Sequence, residues 1–218
     1  MESDPLEAGL KELELFSDER YTLLVKYIEE IERFNTAYGL VKVKDRKELI
    51  LKHILDSLAP IKFLLSVLDD LQVSAPRRIA DVGSGAGLPG IPLAICMSDA
   101  EFTLIERSGR RAGFLHNTIA ALGLSNVVVE EVEAEKAAPG RFDSIVFRAL
   151  KPLNSEPNCK LLELLLSLLK EGGFLAAYKG RRETVEEEMA GFPGTPWELH
   201  PIKVPFLNDE RHLVVIKV

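Results

Sequence analysis

The segment Ile79-Ala80-Asp81-Val82-Gly83-Ser84-Gly85-Ala86-Gly87-Leu88-Pro89-Gly90 restricts the fold more than any other stretch of the 218-residue chain. A short apolar run ends in glycines and passes into a helical pattern (Pro92, Leu93, Ala94, Ile95), the strand–turn–helix context that gives a glycine motif meaning. The pattern then repeats. Phe102–Ile105 ends in Glu106 and precedes a helix predicted near 110–122; Val127–Val129, Ile145–Phe147, a helix over Lys160–Leu169 and Phe174–Tyr178 follow. Short apolar strands alternating with helices predict a Rossmann-like α/β fold with a mostly parallel sheet covered on both faces. The end of the chain differs: Ile202–Phe206 and His212–Val218 are β-like runs joined by Leu207-Asn208-Asp209-Glu210, predicting a C-terminal antiparallel hairpin.

Two helical stretches come before the sheet pattern. Ser17 can cap a helix to about Ala37, with Tyr21, Leu24, Val25, Ile28, Ile31 and Phe34 on one face. A second, near Arg46–Leu71, carries Ile50, Ile54, Leu58, Ile61 and Leu65 inward, with Pro60 kinking or dividing it. The expected organisation is a helical extension over 1–74 packed on an α/β domain over 75–218, the two forming one unit.

Gly83, Gly85 and Gly87 let the backbone turn sharply and approach a ligand. The dinucleotide fingerprint places its third glycine where this chain has Leu88. Pyrophosphate favours bare amides, whereas here Asp81 precedes the loop and Glu106 ends the next strand. Those carboxylates suit a cationic ligand bearing a ribose diol, which describes S-adenosylmethionine (SAM): Asp81 beside the cationic end, Glu106 accepting from both hydroxyls. The predicted chemistry is methyl transfer, and the glycines alone would not select it over a plain tight turn.

Bulk properties narrow the rest. Cys96 and Cys159 are far apart and have no metal-ligand spacing, so neither a disulfide framework nor a metal site is expected, and a reducing cytoplasm fits. Cys159 reads as an ordinary buried thiol. The acidic N-terminus lacks a signal-peptide layout, and the most apolar run, Leu161–Leu169, is too short to span a bilayer and contains Glu163. A net charge of −7 rules out bulk attraction to nucleic acid, so an RNA substrate would need local basic patches. Three occur: Lys42, Lys44, Arg46, Lys47 and Lys52; Arg107, Arg110 and Arg111; and Arg181 with Arg182 after Lys179. Arg148 and Lys179 end apolar strands, at the edge where open α/β sheets bind ligands, although either can equally be structural. No N-P-P-Y or D-P-P-Y tetrad follows the fourth strand, which disfavours methylation of an adenine amino group. His53 and Asp56, one turn apart, can be a functional pair or can bond to each other and hold the helices on the sheet; the structural role is favoured.

Six strings resemble, in order, the small-subunit ribosomal RNA methyltransferase G family, guanine-N7-specific enzymes also called glucose-inhibited division protein B. They are Lys-His-Ile-Leu-Asp-Ser-Leu (52–58), the extended glycine string from Asp81 to Ala94, Phe102–Leu115, Phe142–Leu150, Tyr178-Lys179-Gly180 and Glu210–Lys217. The resemblance covers nearly everything from about residue 20 onward. It implies SAM as cofactor and methyl transfer to N7 of one guanine in 16S rRNA, with the 30S subunit as partner; apart from the resemblance, a monomer is the expected working form. It further implies that Gly83 and Leu88 line the cofactor, that Ala134 and Glu135 flank its adenine and that Arg148 meets it or its carboxylate. Lys179, Arg211 and His53 are the substrate-side candidates. The chain departs from the family at Glu106-Arg107-Ser108-Gly109, which keeps the acid, and at Gly39-Leu40-Val41, where relatives often have Asn-Leu-Thr. Guanine N7 has an exposed lone pair and loses no proton on methylation, so the lack of a general-base motif is expected; alignment and water exclusion suffice. Rival readings are a SAM methyltransferase of another substrate, a non-catalytic SAM- or RNA-binding assembly factor, and a nucleotide-dependent oxidoreductase, the last disfavoured by Leu88.

Overall fold

The computed structural model describes residues 4–148 and 159–218, with the side chain of Cys159 outside the described part; the reading of that thiol as buried therefore falls outside it too. Two N-terminal features follow the sequence pattern. Helix α2 (Asp18–Tyr38) is capped by the Ser17 side chain, which accepts from the Arg20 amide, and stops at Gly39 in the left-handed conformation. Pro60 does divide the second stretch, since helix α5 (Ile61–Asp70) begins after it. Ahead of Pro60 the chain forms α3 (Arg46–Leu49), a π-helical turn over Ile50–Leu55 and the short α4 (Asp56–Leu58). Helix α1 (Pro5–Glu12), capped by Asp4, has no counterpart in the sequence reading.

The sheet contains β1 (Arg77–Val82), β2 (Ala100–Ile105), β3 (Val127–Glu130), β4 (Phe142–Arg148), β5 (Leu169–Lys179), β6 (Glu198–Pro201) and β7 (His212–Lys217), in the order β3-β2-β1-β4-β5-β7-β6. The first five pair in parallel, while β7 runs antiparallel to both β5 and β6. Helices α6 (Gly90–Cys96), α7 (Gly109–Leu122), α8 (Cys159–Ser167) and α9 (Arg182–Met189) cover it, and a 3-10 turn spans Ala134–Lys136. The hairpin is present, but its first strand lies at Glu198–Pro201 and not at 202–206. The reason is local: Pro205 has no amide to give a ladder, and Phe206 has φ +61°.

Period-two alternation sorts each strand between two cores. Ile79, Leu104, Val146, Phe174, Ala176 and Leu213 face the N-terminal helices, α6 and α7. Ala80, Ile105, Ile145, Phe147, Leu175, Ala177 and Val214 face α8 and α9. The strand order reverses between β1 and β4, and ligands of open α/β sheets bind at the carboxyl ends around such a reversal. The residues leaving those ends are Gly83, Glu106, Arg148 and Lys179.

Candidate active site

A cleft of about 600 Å³ opens at this edge. Its floor is the glycine loop. Gly83, Ser84, Gly85, Ala86 and Leu88 line it, with Gly85 at φ +59°, a conformation that penalises any side chain. Glu106, 4% exposed, lies beneath the loop: its Oε2 accepts from the Gly85 amide at 2.9 Å and its Oε1 from the Ser108 amide at 2.9 Å. A carboxylate offers about four lone-pair sites, so two further donors can be accepted there. Asp81, 1% exposed, accepts from the Gly90 amide at 2.8 Å through Oδ2, while Oδ1 has no partner. A Cβ on Gly90 would lie 2.7 Å from that Oδ2 and 2.4 Å from Leu104, so glycine is required for the approach. Burial raises the Asp81 carboxyl to about 7, assisted by Glu106 and opposed by the Gly90 amide and Arg148. Neither Asp81 nor Glu106 is part of the cleft lining; both lie below the loop. Gly87 is also buried off the lining, at φ +88°.

The opposite wall joins the sheet to the N-terminal helices. Arg148 donates from Nη1 to the Lys52 carbonyl and to Asp56 Oδ2, both at 3.2 Å, and its Nη2 meets His53 Nδ1 at 2.8 Å. A guanidinium can only donate, so His53 Nδ1 accepts and the ring proton resides on Nε2. Burial, followed by the Arg148 charge, lowers His53 to about 4, keeping it neutral. Asp56, 6% exposed, also accepts from Arg211 Nε at 3.0 Å. Its carboxyl is raised by burial against the lowering pull of the two arginines. The direct His53–Asp56 bond suggested by their spacing is therefore not what holds the helices; each residue bonds to Arg148 instead.

Alternation along the strands explains these partners. Arg148 and Tyr178 share the parity of Val146 and Ala176 and so meet the helices, where the Tyr178 hydroxyl donates to the Ser57 carbonyl at 2.9 Å. Lys179, one residue on, faces α9 and is held by both oxygens of Glu188 at 2.8 and 2.9 Å. The substrate-side candidates Lys179 and Arg211 line the cleft but are ion-paired within the chain. Lys42 and Arg111, known from sequence only as members of basic patches, are exposed on the same cleft and have no ion-pair partner among the described residues. Ala134 and Glu135 sit in the 3-10 turn after β3, half-buried and exposed respectively, outside the cleft lining.

The model of the family described as rRNA small subunit methyltransferase G matches residues 20–214. The chain belongs to this family. A ribosomal RNA small subunit methyltransferase G of Treponema pallidum (strain Nichols) is 41% identical over 198 residues, covering 89% of this chain and 83% of the relative. One of Treponema denticola is 38% identical over 237 residues, covering 96% and 92%. A solved SAM-dependent methyltransferase from Aquifex aeolicus shares the fold, with a TM-score of 0.57 and 17% identity over 88% of this chain and 98% of that one.

Membership in the methyltransferase G family gives the departure at Gly39-Leu40-Val41 a structural meaning. Gly39 ends α2, and Leu40 and Val41 then line the cleft. The Asn35 side chain clasps Val41, donating to its carbonyl at 3.0 Å and accepting from its amide at 2.9 Å. Sequence reasoning also missed Tyr27. Fully buried on α2, it donates its hydroxyl to the Ala86 carbonyl at 2.7 Å, bracing the glycine loop across 59 residues of sequence. A helical-face reading recognises an apolar stripe but not what its hydroxyl reaches.

Proposed function

We propose that this chain transfers a methyl group from SAM to N7 of a guanine in 16S rRNA, acting in the cytoplasm as a single copy on the small ribosomal subunit. The observation that carries the cofactor assignment is the pair of buried acids under the glycine loop: Glu106 with unused acceptor capacity, and Asp81 with an orphaned Oδ1. A buried oxygen without a partner is costly, and nearby positive charge stabilises its ionised form. Glu106 fits a ribose diol, Gly83 and Gly85 allow close backbone approach, and Leu88 supplies an apolar contact. When bound, SAM supplies an electrophilic methyl on a sulfonium.

The chain's own part is positioning. N7 uses a lone pair already present and releases no proton, so no residue need act as base; neutral His53, committed to Arg148, fits a holding role. Arg148 and Arg211 keep donor N–H groups beyond their internal bonds, suited to guanine O6 or phosphate oxygens, and leave N7 unblocked. The target base reaches such a cleft only when unstacked. Lys42 and Arg111 at its edge suit the flanking backbone. The relatives' names, which specify small-subunit rRNA, support the substrate class.

The test is transfer of labelled methyl from SAM into 30S subunits, free 16S rRNA and total protein from cells lacking this gene. Label in the RNA of the 30S fraction is expected. Label confined to protein, or absent from every RNA fraction, would overturn the reading.

A further inference from the structure

A second cleft, about 610 Å³ in volume, lies on the other side of the two chain segments that wall the first. Arg46, Lys47, Ile50 and Leu51 border it from α3 and the π turn, immediately before Lys52 and His53 of the main cleft. Phe206 borders it from the 202–211 connection, between Ile202 and Arg211 of the main cleft. Phe206 is 56% exposed and is the one exposed aromatic among the described residues. Its backbone makes that exposure a built feature. Val204 accepts from the Leu207 amide at 3.2 Å, closing a turn with Pro205 and Phe206 at its centre. Proline fixes φ negative at the first central position, and Phe206 has φ +61° at the second, the pattern of a type II turn, whose second centre favours glycine or asparagine. Val204 and Pro205 are buried and anchor the turn, so the ring projects from a fixed base. Lys47 is exposed and has no ion-pair partner among the described residues, and Arg46 pairs with Glu32 at 2.5 Å. The acid on the rim, Asp4, turns its oxygens to the Leu6 amide and the Tyr21 hydroxyl.

We propose that the Phe206–Lys47 cleft is a second nucleotide subsite, in which a base flanking the target guanine stacks on Phe206 while Lys47 meets its phosphate. This rests on the RNA reading above. The two clefts are bordered by neighbouring residues of the same two segments, which puts the second within reach of a strand held in the first, and an exposed ring beside an unpaired cation is the combination that holds single-stranded RNA without reading its sequence. Stacking needs a flat π face and not merely apolar bulk.

The test uses the full chain with 30S subunits. Phe206→Leu should raise KM for the subunits about 10-fold, Phe206→Tyr should leave it near wild type, and Lys47→Glu should raise it and flatten its salt dependence. SAM affinity should be unchanged in all three. A photoreactive phenylalanine analogue at position 206 should cross-link to RNA. An unchanged KM in both Phe206→Leu and Lys47→Glu, an equal loss of SAM affinity, or cross-linking to a ribosomal protein would overturn the proposal. Failure of the parent reading looks different: the wild-type chain then methylates no RNA.

Discussion

The two walls of the main cleft differ in sign and in origin. The glycine-loop wall is acidic only in its backing: the lining residues are uncharged, and Asp81 and Glu106 lie buried beneath them, within 26 residues of sequence, at the ends of two adjacent parallel strands. The facing wall is cationic and assembled from the π turn and α4, the ends of β4 and β5, and the connection before β7. Opposite charge suits the two partners proposed here, a cationic cofactor and a polyanionic substrate. The acidic wall is held mainly by backbone amides, whereas the cationic wall is held by side chains, with Asp56 joining two arginines. Damage to the first should therefore appear in cofactor affinity, and damage to the second in substrate handling.

The largest effect that would break this division comes from the acidic wall. Gly85→Val places a β-branched residue at φ +59° and should bring SAM binding below detection by calorimetry. Glu106→Ala removes a carboxylate suited to two ribose hydroxyls, worth about 1.5–3 kcal/mol each, so affinity should fall more than about 100-fold. Far-UV circular dichroism should remain folded for both. Unchanged affinity in both variants would remove the acidic wall from the cofactor site.

The next effect sharpens what Asp81 does without ligand. Its carboxyl is raised by burial from the ordinary 3.8 to about 7, so the folded state holds a proton that the unfolded chain has released. Stability is fully present below pH 4 and declines as pH rises to about 7, by an amount on the order of 4 kcal/mol. Asp81→Asn should flatten that decline in ligand-free thermal melts. Parallel pH profiles for variant and wild type would show that Asp81 titrates normally and that the orphaned oxygen is not strained.

The smallest effect lies at the rim. Lys42→Ala with Arg111→Ala should raise KM for 30S subunits about 5-fold and reduce the log–log salt slope by about 2, leaving SAM affinity alone. A change in SAM affinity instead would assign these cations to the cofactor.

The same contrast explains what the sequence disclosed. The glycine loop, its acids and the five parallel strands were legible because each is a local pattern of period, turn residue and strand end. The cationic wall was legible only as candidate residues. Arg148, Lys179 and Arg211 all reach the cleft, yet none of their partners could be read from spacing: Arg148 to His53 spans 95 residues and Arg211 to Asp56 spans 155. Strand parity held part of the answer, since it sends Arg148 to the helices and Lys179 to α9. The predicted strand at 202–206 failed on a residue in plain view: Pro205 already argued against it. The π turn at Ile50–Leu55 has no compositional mark, although it carries Lys52 and His53 to Arg148.

The most direct measurement is of the product nucleoside. 30S subunits from cells lacking this gene, treated with the purified chain and methyl-labelled SAM, are digested to nucleosides and separated. The label is expected in 7-methylguanosine, from one position of 16S rRNA. Label in any other nucleoside, or in ribosomal protein alone, would contradict the proposed function.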